Sequence, residues 1–386
     1  MCLFVYNLIE VITLKVMHIG DLHIGRTINQ HSLLDDQEYL LKKLVNKIDE
    51  LNIELLIIAG DIYDRSLPSK ESVLLFETFV KMVNIERKIP ILAVSGNHDG
   101  AERLGYGKSW FKTHDFYIST EIEDSFQPIT YESVDFYLIP YIEPVEARFY
   151  FNDDMITTHA SAYEAIISKI EEKMDRTKFN IVVSHLFIQG GNESDSERPL
   201  TLGAVEHVPQ SLFNMFDYVA LGHLHHPFAI QSENVSYSGS LMKYSFSEVN
   251  QPKGFRMLEI YGEIKNSFIP LAPLRDMAVI EGSFQDVYDE AYASSFQHDY
   301  MRMVLTDMRH INDPMTKLKQ LYPNLLELRH ADDLKAEETS AVTIVEQGDI
   351  EIMNLFSTEL TGEMLSAEQL KTVARLHKGD EDIATD

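Results

Sequence analysis

The chain has 386 residues, which exceeds one average domain and favours a sizeable core domain with smaller additions. Its formal net charge of −28 is unfavourable for a protein that grips a phosphate polymer without help. A single cysteine, Cys2, excludes a disulfide framework and a cysteine-rich zinc module, as expected in a reducing cytoplasm. Polar residues interrupt every apolar stretch before it could span a membrane, and no signal peptide is recognisable, so we expect a soluble cytoplasmic protein.

Five short apolar runs each end in polar residues that suit a metal site. These strand-like runs are 14–20, 55–59, 91–95, 181–184 and 218–221. Helical spacing of apolar residues over 34–51 and again over 73–83 predicts two helices that bury one face each. The alternation predicts an α/β fold, with polar side chains gathered where the strands end.

Beyond residue 276 the pattern changes to a small α/β module. Its predicted elements are strands at 277–282, 300–306 and 325–328 and helices at 285–293 and 313–321. Two further amphipathic helices are predicted at 349–359 and 366–376, the second beginning at a capping box of Ser366 and Gln369. These terminal helices either pack on the chain's own surface or bind a partner.

The candidate metal ligands follow the strand-like runs. They stand in the motifs Asp21-Leu22-His23, Gly60-Asp61, Gly96-Asn97-His98-Asp99, Ser184-His185 and Gly222-His223-Leu224-His225. A single aspartate after a strand is often only a helix cap, but the whole set in this order is specific. Imidazole, carboxylate and amide donors without thiolate suit Mn, Fe or Zn in a catalytic site. A carboxylate bridging two cations about 3.5–4 Å apart would let them clamp a phosphoryl group, and Asp61 is predicted to be that bridge.

These motifs resemble those of the calcineurin-like metallophosphoesterases and, among them, the SbcD nucleases. The likeness covers essentially the whole chain, including segments 195–200, 237–240 and 268–271. It implies a four-layer sandwich of two mixed β-sheets flanked by helices, with a small α/β capping domain and C-terminal helices. It also implies two metal sites that share one ligand, the first held by Asp21, His23, Asp61 and His225, and the second by Asp61, Asn97, His185 and His223.

The resemblance assigns His98 a different task. The residue would stabilise or protonate the leaving oxygen beside the scissile phosphate, and Asp99 would orient it. Archaeal and eukaryotic relatives carry a histidine where this chain has Asp64, so no role is carried over to that position.

The resemblance also implies a domain plan and an activity. Residues 14–275 would form the nuclease domain, 276–335 the capping domain, and 345–386 an arm that binds an SbcC-type ATPase with SMC-like coiled coils. Residues 1–13 are predicted to be an extension without a packed role. The implied activity is Mn-dependent exonuclease cleavage of double-stranded DNA ends and endonuclease cleavage of single strands and hairpins, in repair, recombination and replication. The assembly would be a homodimer within a heterotetramer, away from membranes.

Alternative interpretations stay open from the residues alone, which establish only a two-metal phosphoesterase. One is a phosphodiesterase or phosphomonoesterase of small molecules, and another is an inactive scaffold that binds a partner. Basic residues in the loops after the ligand strands are read equally well as phosphate contacts or solvated charges: Arg26, Arg65, Lys70, Arg103, Lys108 and Arg198. Trp110 is predicted to pack in the core rather than stack on a base. Structural rather than ligand roles are predicted for His18, His207 and His226.

Overall fold

The computed structural model describes residues 14–197, 207–288 and 298–333, together with 357, 364–366 and 369. The described residues fall into two compact units that divide between residues 279 and 280, with 298–301 joining the first unit. The predicted boundary between nuclease and capping domains at 275–276 stays a prediction. Most of the predicted arm at 345–386 and the predicted extension at 1–13 lie outside the described residues.

The strands of the first unit build two large sheets and a short hairpin. In chain order they are Leu14–Ile19 (β1), Thr27–Ile28 (β2), His31–Ser32 (β3), Leu55–Ala59 (β4), Ile91–Val94 (β5), Phe116–Ser119 (β6), Ile129–Tyr131 (β7), Val134–Ile139 (β8), Phe179–His185 (β9), Tyr218–Gly222 (β10), Val235–Tyr237 (β11), Gly254–Tyr261 (β12) and Glu263–Pro270 (β13). All five strands predicted before the ligand motifs are present, with ends within two residues of the prediction.

Helices connect most of these strands. They are Leu34–Leu51 (α1), Lys70–Val80 (α2), Ala101–Leu104 (α3), Lys108–Phe111 (α4), Pro144–Phe151 (α5) and His159–Glu171 (α6). A π-helical turn at Lys81–Ile85 continues α2, and 3₁₀ turns lie at Lys112–His114, Ile122–Phe126, Gln210–Phe213 and Phe246–Glu248. No helix in the described ranges has the length and apolar character needed to cross a membrane.

Both large sheets are mixed, as predicted. The first has the strand order β13-β12-β1-β4-β5-β6, and the second has the order β11-β10-β9-β8-β7. Strands β1, β4, β5 and β6 are parallel, and β12 joins β1 antiparallel. In the second sheet β8, β9, β10 and β11 are parallel, and β7 is antiparallel to β8. The carboxyl ends of the strands that precede the predicted ligands therefore form one edge in each sheet.

The two sheets pack face to face. Val16 of β1 and Ile57 of β4 share one buried cluster with Phe136 of β8 and Val183 of β9. Because strand side chains alternate between faces, Met17 on the opposite side of β1 points away from this cluster, yet it is also fully buried. The first sheet is therefore also covered on the face that carries Met17.

Helix α6 covers the outer face of the second sheet. Its Ile166 and Ile170 share a second buried cluster with Val182 of β9 and Val219 of β10. Thr158 caps the helix by accepting a hydrogen bond from the Ser161 N–H. Full burial of each large aliphatic side chain contributes about 1.5–3 kcal/mol relative to exposure, so this face fixes the helix on the sheet.

The buried face predicted for the helix over 73–83 is partly wrong. Phe76 and Phe79 are buried, whereas Val73 and Leu74 are 43% and 48% exposed. Two neighbouring stripes of this helix are apolar, and periodicity alone does not say which stripe faces the core.

A separate three-stranded sheet has the order β14-β15-β16, and its strands are Met277–Gly282, Tyr300–Leu305 and Leu325–His330. Helices Phe284–Val287 and Pro314–Leu321 and a 3₁₀ turn at Met308–His310 accompany it. The strands match the predicted α/β module, although much of the helix predicted at 285–293 lies outside the described residues. Of the predicted C-terminal capping box, Ser366 and Gln369 are described, and their side chains accept each other's backbone N–H at 3.3 and 2.8 Å.

Candidate metal centre

The predicted ligands meet where the parallel strands of both sheets end. Asp21 and His23 follow β1, Asp61 follows β4 and Asn97 follows β5. The second sheet contributes His185 at the end of β9, with His223 and His225 after β10. A hydrogen bond from the His223 N–H to Asp21 Oδ1, 2.8 Å long, joins the loops of the two sheets.

The backbone at this edge is strained. Asp21, His23, Asp61 and His223 have φ angles of 51°, 42°, 48° and 107°, a region that side-chain-bearing residues seldom adopt. Each such conformation costs on the order of 1–3 kcal/mol and persists only where the surroundings enforce it. The surrounding loops must therefore hold these four predicted ligands in place before any ion binds.

Glycine before the ligands permits close approach of the loops. A Cβ on Gly96 would lie 2.1 Å from Asp61 Oδ1, and one on Gly222 would lie 1.9 Å from the Ala59 carbonyl oxygen. Neither position has room for a side chain, which explains the glycine in the motifs that carry Asn97 and His223.

One group of donors is formed by Asp21, His23 and His225. These buried side chains can place one ligand atom each within 4.8 Å of one another. The Nε2 atoms of His23 and His225 are 3.1 Å apart. Asp21 Oδ2 is buried and lacks a hydrogen-bond partner among the described residues. A cation suits this point because every converging atom can offer a lone pair.

A second group surrounds His185. Its Nε2 lies 3.0 Å from Asn97 Oδ1 and 3.4 Å from Asp61 Oδ2. The Nδ1 atom of His223 lies 3.4 Å from the same Asn97 oxygen. Asp61 Oδ2 is also 3.6 Å from His23 Nε2, so one carboxylate oxygen reaches both groups.

Hydrogen bonds define which nitrogen of His185 carries a proton. Its Nδ1 is 2.9 Å from the Ala59 carbonyl oxygen, which can only accept, so Nδ1 donates. In neutral His185, Nε2 then presents a lone pair to Asn97 Oδ1 and Asp61 Oδ2, which are themselves acceptors. With Asn97 Oδ1 turned toward His185, positive charge stabilises this arrangement, either as a second proton on His185 or as a bound cation.

The titration behaviour agrees with this geometry. Burial disfavours a charged His185, but the Asp61 carboxylate outweighs it and raises the pKa of His185 to about 9. Burial raises the pKa of Asp21 well above its ordinary value. Burial opposes the charge on Asp61 too, yet His185 and His23 hold its pKa well below the usual range. The centre thus attracts positive charge at Asp61.

His98 lies at the rim of the centre. It is partly buried, its backbone N–H donates to Asp61 Oδ1 at 2.9 Å, and its ring Nδ1 donates to the Asp64 carbonyl oxygen at 2.9 Å. Its ring also places a nitrogen within ligand range of His23 and Asp61. A cavity of about 470 Å³ adjoins the ring and is lined by Arg26, Asp64, Arg65, Ser66, His98, Asp195, Ser196 and Glu197.

Asp99 contacts backbone rather than the His98 ring. Its carboxylate accepts hydrogen bonds from the N–H groups of Ile62, Tyr63 and Gly96, at 3.1, 2.9 and 2.9 Å. The predicted orienting contact is therefore replaced by the Asp64 carbonyl, and Asp99 instead ties together the loops after β4 and β5.

Residues 14–227 match the family described as calcineurin-like phosphoesterase. Residues 273–360 match the type 5 capsule protein repressor C-terminal domain. The SbcD component of the SbcCD nuclease of Staphylococcus epidermidis is 43% identical over 365 residues, which cover 94% of this chain and 98% of that protein. The chain belongs to the SbcD family of calcineurin-like phosphoesterases. The predicted family, enzyme class and α/β fold are thereby confirmed.

Two solved structures show a more distant similarity to this SbcD-family chain. TT1561 of Thermus thermophilus is 12% identical with a TM-score of 0.40, and the match covers 67% of this chain and 99% of that one. A dimetal phosphatase from Danio rerio is 12% identical with a TM-score of 0.35, covering 66% and 98% of the two chains.

Several residues around the SbcD-family centre were not predicted. Gln37 of α1 donates to the carbonyl oxygens of Leu22 and His23 and accepts from the Gly25 N–H. Ser196, Glu197 and Glu248 contact His225. The only sequence signal for these contacts was the likeness at 195–200, which named no role.

The prediction for Trp110 is wrong, because its side chain is 70% exposed. Among the basic candidates, Lys108 pairs with Glu121 and Asp124 at 3.0 and 2.9 Å. Arg26 pairs with Asp64 at 2.8 Å, and Arg65 lies 3.7 Å from the other oxygen of the same carboxylate with its side chain 72% exposed. Arg198 lies outside the described residues.

Three histidines, His18, His207 and His226, were predicted to have structural roles, and each has its own set of contacts. His18 is buried between Tyr218 and the Leu221 carbonyl oxygen. Its pKa falls to about 3, chiefly by burial. His207 packs on the Phe187 ring, and His226 Nδ1 accepts the Phe228 N–H at 2.9 Å.

Proposed function

We propose that this chain is the DNA-cutting subunit of an SbcCD-type complex and hydrolyses phosphodiester bonds with two divalent cations, Mn being the preferred ion. The observation that carries the proposal is the position of Asp61 Oδ2, 3.6 Å from His23 Nε2 and 3.4 Å from His185 Nε2. One carboxylate can thus bridge two cations, as two-metal phosphoryl transfer requires.

Each donor group would hold one cation. Asp21, His23 and His225 would hold the first with Asp61, and Asn97, His185 and His223 would hold the second with Asp61. When bound, the pair would polarise the phosphoryl group and lower the pKa of the attacking water. The protein's own contribution is to fix these donors in advance, through buried side chains and a strained backbone.

His98 would handle the proton of the leaving oxygen. Its Nδ1 is committed to the Asp64 carbonyl, so Nε2 is the atom that can carry a proton toward the cavity. Arg65 lines the same cavity with its side chain 72% exposed, and it would contact a neighbouring phosphate of the strand. Arg26 would instead hold Asp64, a neighbouring residue of the cavity lining, in place through their ion pair.

A partner protein would provide much of the affinity for DNA. A net charge of −28 opposes unaided binding of a phosphate polymer. We propose an SbcC-type ATPase with SMC-like coiled coils as that partner, bound through residues 345–386, with two copies of the chain in a cytoplasmic heterotetramer. Double-stranded ends and hairpins would be the substrates.

Substrate choice tests the proposal. Purified chain with Mn, alone and with its ATPase partner, is incubated with hairpin DNA and linear duplex and, in parallel, with p-nitrophenyl phosphate and its diester. We expect cleavage of both DNAs that a chelator abolishes and Mn restores. Hydrolysis of the small phosphate esters with both DNAs left intact would instead support the small-molecule alternative.

A further inference from the structure

A chain of hydrogen bonds lies on the Nδ1 side of His225. Nδ1 is 2.7 Å from Ser196 Oγ and 3.2 Å from Glu248 Oε1. Ser196 Oγ donates to the same Glu248 oxygen, and Lys253 Nζ lies 2.5 Å from Glu248 Oε2. All four side chains are at most 6% exposed, so no solvent competes for these contacts.

The direction of these bonds follows from which atoms can donate. Lys253 Nζ can only donate, so Glu248 Oε2 accepts from it, and Glu248 Oε1 accepts from Ser196 Oγ. The Ser196 hydroxyl gives its single proton to Glu248, which leaves its lone pairs to accept from His225. Nδ1 of His225 must therefore carry a proton, and Nε2 carries a free lone pair. This Nε2 atom lies 3.1 Å from His23 Nε2.

The backbone of His225 is held as well. Its N–H donates to Glu197 Oε1 at 2.6 Å, and its carbonyl oxygen accepts from Lys253 Nζ at 2.9 Å. Glu197 and Ser196 come from the connection after β9, whereas Glu248 and Lys253 precede β12. Two separate segments thus converge on one histidine.

Packing alone does not explain this cluster. Burying a carboxylate and an ammonium costs several kcal/mol per ion before pairing, and apolar residues of similar size commonly serve stability as well or better. A buried charged pair in contact with a ligand histidine has a specific use, because a carboxylate behind imidazole fixes the tautomer and makes the other nitrogen a stronger ligand.

We propose that Glu248 is the positioning residue for His225: directly and through Ser196 it fixes the proton on Nδ1, so that Nε2 is presented to the first metal site. Lys253 pairs with the other Glu248 oxygen and so holds that carboxylate in place. The inference rests on the proposed role of His225 as a metal ligand.

The test measures Mn(II) binding to the full chain by calorimetry and by electron paramagnetic resonance. We expect the unmodified chain to bind two ions and E248Q to bind one of them about 10–100-fold more weakly, with the other affinity unchanged. The resonance signal should change from a coupled pair to a single ion at Mn concentrations that fill only the tighter site. S196A should lose less affinity, because Glu248 Oε1 at 3.2 Å can accept from Nδ1 directly.

Asp135 provides a matched control. It is a buried carboxylate, 3% exposed, paired with Lys178 at 2.8 Å in the second sheet. D135N should leave both Mn affinities unchanged even where it lowers the melting temperature. Should E248Q fail to fold, the double variant E248Q/K253M removes both charges together and must show the same selective loss.

Two results would overturn the inference. The first is that E248Q, or E248Q/K253M, binds both Mn ions with unchanged affinity. That result would refute the role of Glu248 without affecting the proposed function. The other is an equal loss of affinity in E248Q and D135N, because the loss would then reflect general destabilisation. An unmodified chain that binds no Mn would refute the proposed function and this inference together.

Discussion

The Nε2 atom of His185 lies 3.4 Å from Oδ2 of Asp61, and both side chains are almost fully buried. This contact raises the pKa of His185 to about 9, against the effect of burial. A cation that binds Nε2 must displace the proton, so metal affinity and pH are linked at this residue.

Mn affinity should therefore rise with pH. Below pH 9 His185 is mostly protonated and must lose its Nε2 proton when a cation binds, so the apparent affinity of the second site should increase up to about tenfold per pH unit and level off near pH 9. Burial raises the pKa of Asp21, so a cation that binds Asp21 also displaces a proton, and the affinity of the first site should likewise rise with pH. Calorimetry in buffers of different ionisation enthalpy would count the released protons, and an affinity that is flat from pH 7 to 9 would contradict this account.

Replacing His98 should separate chemistry from metal binding. H98A keeps the backbone N–H that contacts Asp61, so Mn content should stay near normal while DNA cleavage falls by about 10²–10⁴-fold. Metal analysis and a hairpin cleavage assay measure the two effects. H114A, at an exposed histidine, is the control. Loss of metal in H98A would mean that His98 is a ligand.

Replacing Asp61 should remove both functions together. D61N takes away the carboxylate that reaches both donor groups, so the chain should lose both Mn ions and its nuclease activity. Metal content after gel filtration checks this. Retention of one tightly bound Mn by D61N would show that Asp61 serves a single site.

Gln37 should support the loop that carries His23. Its amide makes three hydrogen bonds to the backbone there, at 2.7, 2.9 and 3.1 Å. Because Q37A leaves buried carbonyl groups without donors, the free energy of unfolding should fall by about 1–3 kcal/mol. Urea unfolding measures this, with Q127A at an exposed glutamine as control. Equal stability of the two variants would contradict the role assigned to Gln37.

Deleting residues 345–386 should separate partner binding from catalysis. Hydrolysis of a small phosphodiester should remain, because every proposed ligand lies before residue 226. Co-purification with an SbcC-type ATPase should be lost. Unchanged co-purification would place the interface elsewhere on the chain.

The sequence predicted which side chains gather at the strand ends, because each candidate ligand follows an apolar strand and the sheet topology brings those strand ends together. It did not predict Ser196 or Glu248, which approach His225 from distant segments through tertiary contacts. Trp110 was misplaced because its apolar ring was taken as a sign of burial, although most of its neighbours, such as Lys108, Ser109 and Lys112, are polar. The same assumption affected Val73 and Leu74 on α2.

The most direct test of the two-metal centre is a crystal structure of the chain grown with Mn, with anomalous data collected above the Mn absorption edge. We expect two peaks about 3.5–4 Å apart, with the Asp61 carboxylate between them and His225 Nε2 on the first. A single peak, or two peaks that share no ligand, would contradict the account.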